Sequence, residues 1–351
     1  MTSPCSARIA VRTAAIVFSL CVSLLALPLH ADFERGMAAY EAGDFPAALA
    51  EFTEGAAIGH ALSQYNLGLM YHQGIGTAQD YERALQLFAL SAQQGLVRAQ
   101  YYLASMYDNG QGVAQDYREA YHWYQQAAEQ GDAAAQYAVG TMNFYGQGKR
   151  TDYAAALDWY TKAAEQDHGD SQYNLGVMYI NGFGTEADPA QALQWFVRAA
   201  RNGSADAQFN AALMYNNGQG TAQDFGRAMR YFKMAALQGV PEAMARIGIL
   251  FASGQGVAQD YVQARQWFEA AAQLGDVPAQ SFLGRLYMSG MGMPQDPVSA
   301  YMWYKLAHDN GDNAALAVMS ALQANMNKEQ VSEAEQRLTN WLQQNPQASK
   351  P

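Results

Sequence analysis

The stretch LGLMYHQGIGTAQDYERAL, residues 67–85, holds the end of one helix, a turn and the start of the next. Leu67, Met70 and Tyr71 fall at helical spacing, and Gly74-Ile75-Gly76 closes that run with residues that reach the left-handed conformation cheaply. Asp80 then stands where a helix start needs an acceptor for its free N–H groups. The same phrase returns every 36 residues. Gly-x-Gly pairs begin at Gly74, Gly110, Gly146, Gly182, Gly218, Gly254 and Gly290, each followed six residues on by an aspartate, Asp80 through Asp296. Four residues further on stands an alanine, from Ala84 to Ala300. A fixed period of roughly 20 to 50 residues marks units that cannot bury their apolar faces alone and must stack. The sequence therefore predicts an all-α solenoid of helical hairpins, each a helix A, a glycine loop and a helix B.

Local signals support each half of the unit. Glu119, Gln191 and Gln263 lie three residues after Asp116, Asp188 and Asp260, the spacing of a capping box, and Pro189 and Pro297 take the first helical position. Gly68, Ala104, Gly140, Gly176, Ala212, Gly248 and Gly284 leave helix A without bulk at one position. Trp123, Trp159, Trp195, Trp267 and Trp303 are expected to lie across these small positions from neighbouring repeats.

The repeats also set the boundaries. Residues 1–31 read as a signal peptide, with Arg8 and Arg12 before an apolar run from Ala14 to Leu27, and cleavage is expected after Ala31. That run is too short for a membrane span of about 20 residues. Residues 32–58 form a shortened capping repeat, 59–310 hold seven full repeats, 311–345 a partial repeat and closing helix, and 346–351 a frayed tail. Both cysteines, Cys5 and Cys21, lie in the signal segment, so the mature chain has no thiol for a disulfide or metal site. An exported location, periplasmic or secreted, follows as the expectation, with the chain a monomer and without a stable membrane anchor.

The net charge is −11, and loss of the two signal arginines takes it to −13. Such a charge disfavours nucleic acid and anionic lipid as partners and favours basic or peptide-like ones. Catalytic chemistry finds little footing. The glycine pairs close a helix where a phosphate loop must open one, and His60, His72, His122, His168 and His308 include no i, i+4 pair. No Ser-x-x-Lys nucleophile pair and no Gly-x-Ser-x-Gly elbow occurs. No cofactor, metal or catalytic residue is expected; the competing reading is an enzyme acting on cell-wall or β-lactam substrates.

With Leu67-Gly68-x-Met70-Tyr71, the Gly74 pair, the helix-starting aspartate and the alanine-rich second helix, the chain resembles the Sel-one-like repeat (SLR) family, relatives of the tetratricopeptide repeat. The resemblance implies a right-handed α/α superhelix whose A helices line a concave face. It implies a scaffold or adaptor between proteins, in exported bacterial members a regulator of envelope signalling or a binder of host factors. On that face the position two before Leu67 reads Tyr65, Tyr101, Tyr137, Tyr173 and Phe209, then Ala245 and Ser281. This aromatic ladder is either a packing column or a strip of binding anchors. Arg98, Asp108, Asp170, Asp206 and Glu242 lie beside it as candidates to read charge on a partner. The third and fourth repeats depart most from the pattern, at Asn143, Lys149-Arg150-Thr151 and Asp167-His168.

Overall fold

The computed structural model describes residues 33–348, so the expected signal segment lies outside the described residues. Among these, secondary structure is entirely helical, with eighteen α-helices and one short 3-10 turn. The chain divides after His168 into two compact units. The first contains α1 (33–41), α2 (Phe45–Ala57), α3 (Ala61–Gln73), α4 (Tyr81–Gln93), α5 (Val97–Asn109), α6 (Tyr117–Glu129), α7 (Ala133–Tyr145) and α8 (Tyr153–Glu165). The second contains α9 (Gly169–Asn181), α10 (Pro189–Arg201), α11 (Ala205–Asn217), α12 (Phe225–Leu237), α13 (Pro241–Ser253), α14 (Tyr261–Gln273), α15 (Val277–Ser289), α16 (Pro297–Asp309), α17 (Ala315–Ala324) and α18 (Lys328–Gln344). Within each unit, successive helices pack on one another, except that α17 and α18 both pack on α16, so each is a stack of hairpins.

Each hairpin is punctuated as its sequence dictates. Gly74 takes φ 72° and its N–H donates to Met70 O, closing α3; the Arg83 N–H then donates to Asp80 Oδ1 at 3.0 Å, opening α4. A cap of this kind contributes about 1 kcal/mol. At Asp116, Asp188 and Asp260 the aspartate alone caps, whereas the reciprocal capping box forms at Asn327 and Gln330 of α18.

The second glycine of each pair has a separate role. A Cβ on Gly112 would stand 2.6 Å from the Tyr81 carbonyl, and one on Gly220 would stand 2.3 Å from Pro189 O. The loop of one repeat therefore sits directly on the first residue of the preceding helix B. Only a residue without a side chain allows that approach.

The small column of helix A packs differently from the sequence expectation. A Cβ at Gly68 would meet the Phe88 ring at 2.8 Å, at Gly140 the Tyr160 ring at 2.7 Å, and at Gly248 the Phe268 ring at 2.7 Å. The ring over each small position thus comes from helix B of the same repeat, one residue past the position that holds tryptophan in five of the repeats. Phe88, Phe232 and Phe268 are fully buried there, whereas Trp123, Trp159, Trp195 and Trp267 are only half-buried. Two of these tryptophans carry cations over their faces, Lys162 on Trp159 at 4.1 Å and Arg198 on Trp195 at 4.7 Å. Trp303 is buried because α18 covers it, with the Trp341 ring 4.8 Å away.

A column of amide pairs, each with a buried inner glutamine, ties the hairpins together. The Gln94 amide donates to Gln64 Oε1 at 2.8 Å, and the pairs Gln130 with Gln100, Gln166 with Gln136 and Gln238 with Gln208 repeat the bond at 2.8 Å. Asn202 with Gln172 and Asn310 with Gln280 are the shorter versions. The inner glutamine also reaches back, as Gln100 Nε2 donates to Ala92 O and Gln208 Nε2 to Ala200 O in the preceding helix B. One side chain thereby joins three helices. Buried polar groups cost free energy unless bonded, so the bond matters most to the buried inner glutamine, while Gln94, Gln130, Gln166 and Gln238 are exposed.

The ends use the same parts. Residues 33–41 and α2 form a hairpin in which a Cβ on Gly36 would meet the Phe52 ring at 2.6 Å, the contact seen at Gly68. At the other end the expected frayed tail is docked over residues 346–348. Ala348 is fully buried, and its carbonyl accepts from Asn310 Nδ2 at 2.8 Å and Gln280 Nε2 at 3.2 Å. The last turn thus caps the amide column.

Candidate binding face

The ladder residues occupy the fifth position of successive A helices, and each ring leans on the core aromatic of its own hairpin. Centroid distances are 5.9 Å for Tyr65 to Phe88, 5.4 Å for Tyr101 to Tyr124 and 5.8 Å for Tyr137 to Tyr160 in the first unit. In the second they are 5.7 Å for Tyr173 to Phe196 and 5.8 Å for Phe209 to Phe232. The ladder therefore has a packing function within the repeat as well as an outer edge. Tyr101, Tyr137, Tyr173 and Phe209 remain half-exposed. Tyr65 does not: Tyr102 of the next repeat closes over it at 5.8 Å and leaves it 7% exposed.

Burial sets the chemistry of these phenols. It pushes Tyr65 up to about 12, with Tyr102 adding and Arg98 opposing. Burial also raises Tyr101, reinforced by Asp132, Tyr102 and Asp108. Tyr173 is raised by burial and then by Asp206, against a hydrogen bond with Asn210. These rings are neutral amphipathic side chains at physiological pH, not nucleophiles. Asp108 lies behind the ladder, half-buried and bonded to Tyr124, and burial raises its carboxyl as well.

Charges flank the rungs in a regular place. Arg98 in α5 and Asp170, Asp206 and Glu242 in α9, α11 and α13 all hold the second position of an A helix, and all are exposed. In the second unit that row is entirely acidic over three consecutive repeats. The ladder itself stops at Ala245, and there a cavity of about 320 Å³ opens between Phe209 and Phe282.

The irregular third repeat is compensated in part from within. Asn143 is fully buried where other repeats place an aromatic ring, its Nδ2 donates to Val139 O at 2.7 Å, and its Oδ1 has no partner. Tyr121 of the preceding helix B brings a phenol to the same place, 3.5 Å from Asn143 Nδ2. Lys149 lies over the Tyr121 ring at 5.0 Å, so this departure is a packing exchange in which Lys149 takes part; Arg150 is exposed beside it. Asp167 adopts φ 62° where other repeats have glycine, and His168 packs against the Tyr137 rung at 4.9 Å. Among the described residues no group of three or more His, Cys, Asp or Glu is placed to hold a metal ion, and no helix is long and apolar enough to cross a membrane.

Seven contiguous matches to the Sel1 repeat, at residues 61–96, 97–132, 133–168, 169–204, 205–240, 241–276 and 277–312, decide the family. The chain belongs to the Sel1 repeat family. Such repeats generally serve as protein-interaction scaffolds. The fold is similar to that of a protective antigen present in uropathogenic Escherichia coli strains displaying an SLR fold, at 26% identity and TM-score 0.56, covering 91% of this chain and 93% of that one. It is also similar to a Sel1 repeat protein from Oxalobacter formigenes, at 30% identity and TM-score 0.58, covering 68% of this chain and 96% of that one. No curated protein matches the chain.

The Sel1 repeats put the amide pairs and the second-glycine contact in a new light. Both columns are visible in the sequence, as Gln64, Gln100, Gln136, Gln172, Gln208 and Gln280, and as Gly76, Gly112, Gly148, Gly184, Gly220, Gly256 and Gly292. Their partners stand about 30 residues away, beyond the reach of helical periodicity. The signal that could have found them is a strictly periodic polar residue on an apolar face.

Proposed function

We propose that this Sel1 repeat protein is an exported bacterial scaffold that holds a segment of a partner protein along its A-helix face. The observation that carries the reading is the set of half-exposed rings, Tyr101 and Tyr137 in the first unit and Tyr173 and Phe209 in the second, each braced from behind by a buried aromatic. Braced aromatics lose little conformational entropy on binding, and such side chains dominate binding hot spots. The acidic positions Asp170, Asp206 and Glu242 favour a basic segment over an acidic one.

An envelope or secreted location rests on the Arg8, Arg12 and Ala14 to Leu27 pattern of the sequence, with Asp32 as the first mature residue. The likeness to a protective antigen accords with exposure outside the cytoplasm. Sequencing the N-terminus of the protein recovered from the periplasm or medium tests the location, and a chain still beginning at Met1 sinks it.

The binding reading is tested by crosslinking the mature protein in envelope extracts and measuring the captured partner against Tyr137→Ala with Tyr173→Ala. Truncating hot-spot anchors costs about 2 kcal/mol or more, so affinity should fall at least about tenfold while the melting temperature falls modestly. Unfolding of the double variant would show that the rungs are core. Unchanged affinity in a folded variant would move the site to another face.

A further inference from the structure

We propose that the cavity beside Ala245 receives an aromatic side chain of the partner, from a segment that carries a lysine or arginine next to that ring. This rests on the A-helix-face reading above and names what its second unit selects. In α3, α5, α7, α9 and α11 the fifth position is aromatic; in α13 it is alanine, and the missing ring leaves about 320 Å³ between Phe209 and Phe282, with Ile249 on its floor. Phe282 of the next repeat stacks flat on Phe268, 4.9 Å between centroids and 8° from parallel, so it takes the contact a rung would make with that core ring and fixes one wall of the opening that remains.

Size and lining choose the occupant. At about 320 Å³ the opening stands at the low end of the range for whole ligands, about 300 to 1,000 Å³, and holds one bulky side chain. Two further cavities, of about 290 and 260 Å³, also border Phe282 and share Arg285, which leaves room for the chain on either side of the inserted ring. The walls are aromatic and aliphatic, so an aromatic ring can stack as the native rungs do.

Charge chooses the neighbour of that ring. Glu242 and Asp276 border the cavity against the single cation Arg246. Asp276 is 8% exposed and already spends one lone pair on the Ala279 N–H at 2.7 Å, and burial raises its carboxyl with Glu242 adding to the effect. A cation arriving with the ring relieves that unfavourable pair of carboxylates. Asp206 stands at the Glu242 position one repeat earlier, extending the acidic side of the path.

Panning a random dodecapeptide phage library on the mature chain, residues 32–351, tests the proposal alongside three variants: Ala245→Tyr, Glu242→Arg and the double variant Tyr173→Ala with Phe209→Ala. The wild type should enrich peptides with Phe, Tyr or Trp next to Lys or Arg. Ala245→Tyr restores the rung other repeats carry, and should lower that enrichment about tenfold with an unchanged circular dichroism spectrum. Glu242→Arg, on the exposed surface, should keep the aromatic preference and lose the basic one. Enrichment that survives Ala245→Tyr and Glu242→Arg but fails in the rung double variant overturns the cavity proposal and leaves the face reading intact. Enrichment that survives all three overturns both. A wild type that enriches no aromatic residue overturns the cavity proposal, and the face reading then stands or falls by its own pull-down.

Discussion

The fifth and sixth repeats differ at two neighbouring positions of helix A, and the two differences have opposite physical meanings. In α11, Gln208 is paired with Gln238; in α13 and the residue after α14 the corresponding positions are Met244 and Leu274. Both partners have changed together, so no amide loses its partner; Met244 packs on the core and Leu274 is 41% exposed. Phe209 becomes Ala245 with only a partial answer, since Phe282 takes the contact with the core ring Phe268 and a cavity still remains. Substitutions that serve packing are compensated within the chain, whereas one that leaves room calls for an occupant from outside. Asn143 with Tyr121 belongs to the first kind.

The largest effect should come from confusing the two kinds of ring in the fifth repeat. Phe232 is fully buried and Phe209 stands on it half-exposed. Phe232→Ala should destabilise the protein by about 3–5 kcal/mol, with the cavity it leaves adding to the transfer cost. Phe209→Ala should cost only about 1 kcal/mol, since the ring leaves water only in part. Urea titration followed by circular dichroism separates them, and equal losses would erase the distinction between core ring and rung.

The amide pair gives a sharper trial. Gln208→Met alone removes one partner of the exposed Gln238 amide, which keeps its bond to Gly203 O, and withdraws a donor from the buried Ala200 O, at a cost of about 1 kcal/mol. Gln208→Met with Gln238→Leu copies the sixth repeat and should recover most of that loss, since replacing both partners by apolar groups is nearly neutral. The double-mutant coupling is the measured quantity. Additive losses would mean that Met244 and Leu274 are unrelated substitutions.

How far the sequence carries is decided by the distance between partners. The hairpins, their aspartate caps and the left-handed glycines are legible because each signal is complete within a few residues. The sequence expectation lays the tryptophans across the small positions of helix A, yet the rings that fill those positions are Phe88, Tyr160 and Phe268, one residue past the tryptophan column. Adjacent residues on a helix point about 100° apart, and only the facing helix decides which of two aromatics turns inward. The fading of the ladder at Ala245 was visible as a letter change; the cavity was not, since its walls come from Phe209 and Phe282 in the repeats on either side. The docking of Ala348 likewise depends on Gln280 and Asn310, far back in the chain.

Filling the opening should have a small effect on stability. Ala245→Tyr supplies the ring that five other A helices carry in aromatic form, and cavity filling of this kind adds about 0.5 kcal/mol or somewhat more. A melting temperature equal to or slightly above that of the wild type is the expected result. A clear loss would show that the sixth repeat has closed around alanine, and the contrast between compensated and uncompensated positions would fail there.

The smallest effect is the pH dependence contributed by Asp276, which borders the same cavity. Burial raises its carboxyl from the ordinary value of 3.8, Glu242 adds to the rise, and the Ala279 N–H and Arg246 oppose it. A raised value means that the folded state holds this proton more readily than the unfolded chain. Across the window that begins near 3.8 and extends upward, the native state therefore binds more protons, and the contribution of Asp276 to stability falls as pH rises through it. Asn caps a helix as well as Asp does and has no charge to desolvate. Asp276→Asn should accordingly match or exceed the wild type in melting temperature at pH 7, and that advantage should shrink as pH falls toward 4. The opposite trend, with the wild type gaining on the variant as pH rises, would mean that Arg246 and the helix start stabilise the carboxylate more than burial penalises it. The cavity would then have its acidic side already neutralised, and the preference for a basic neighbour beside the inserted ring would have to come from Glu242 alone.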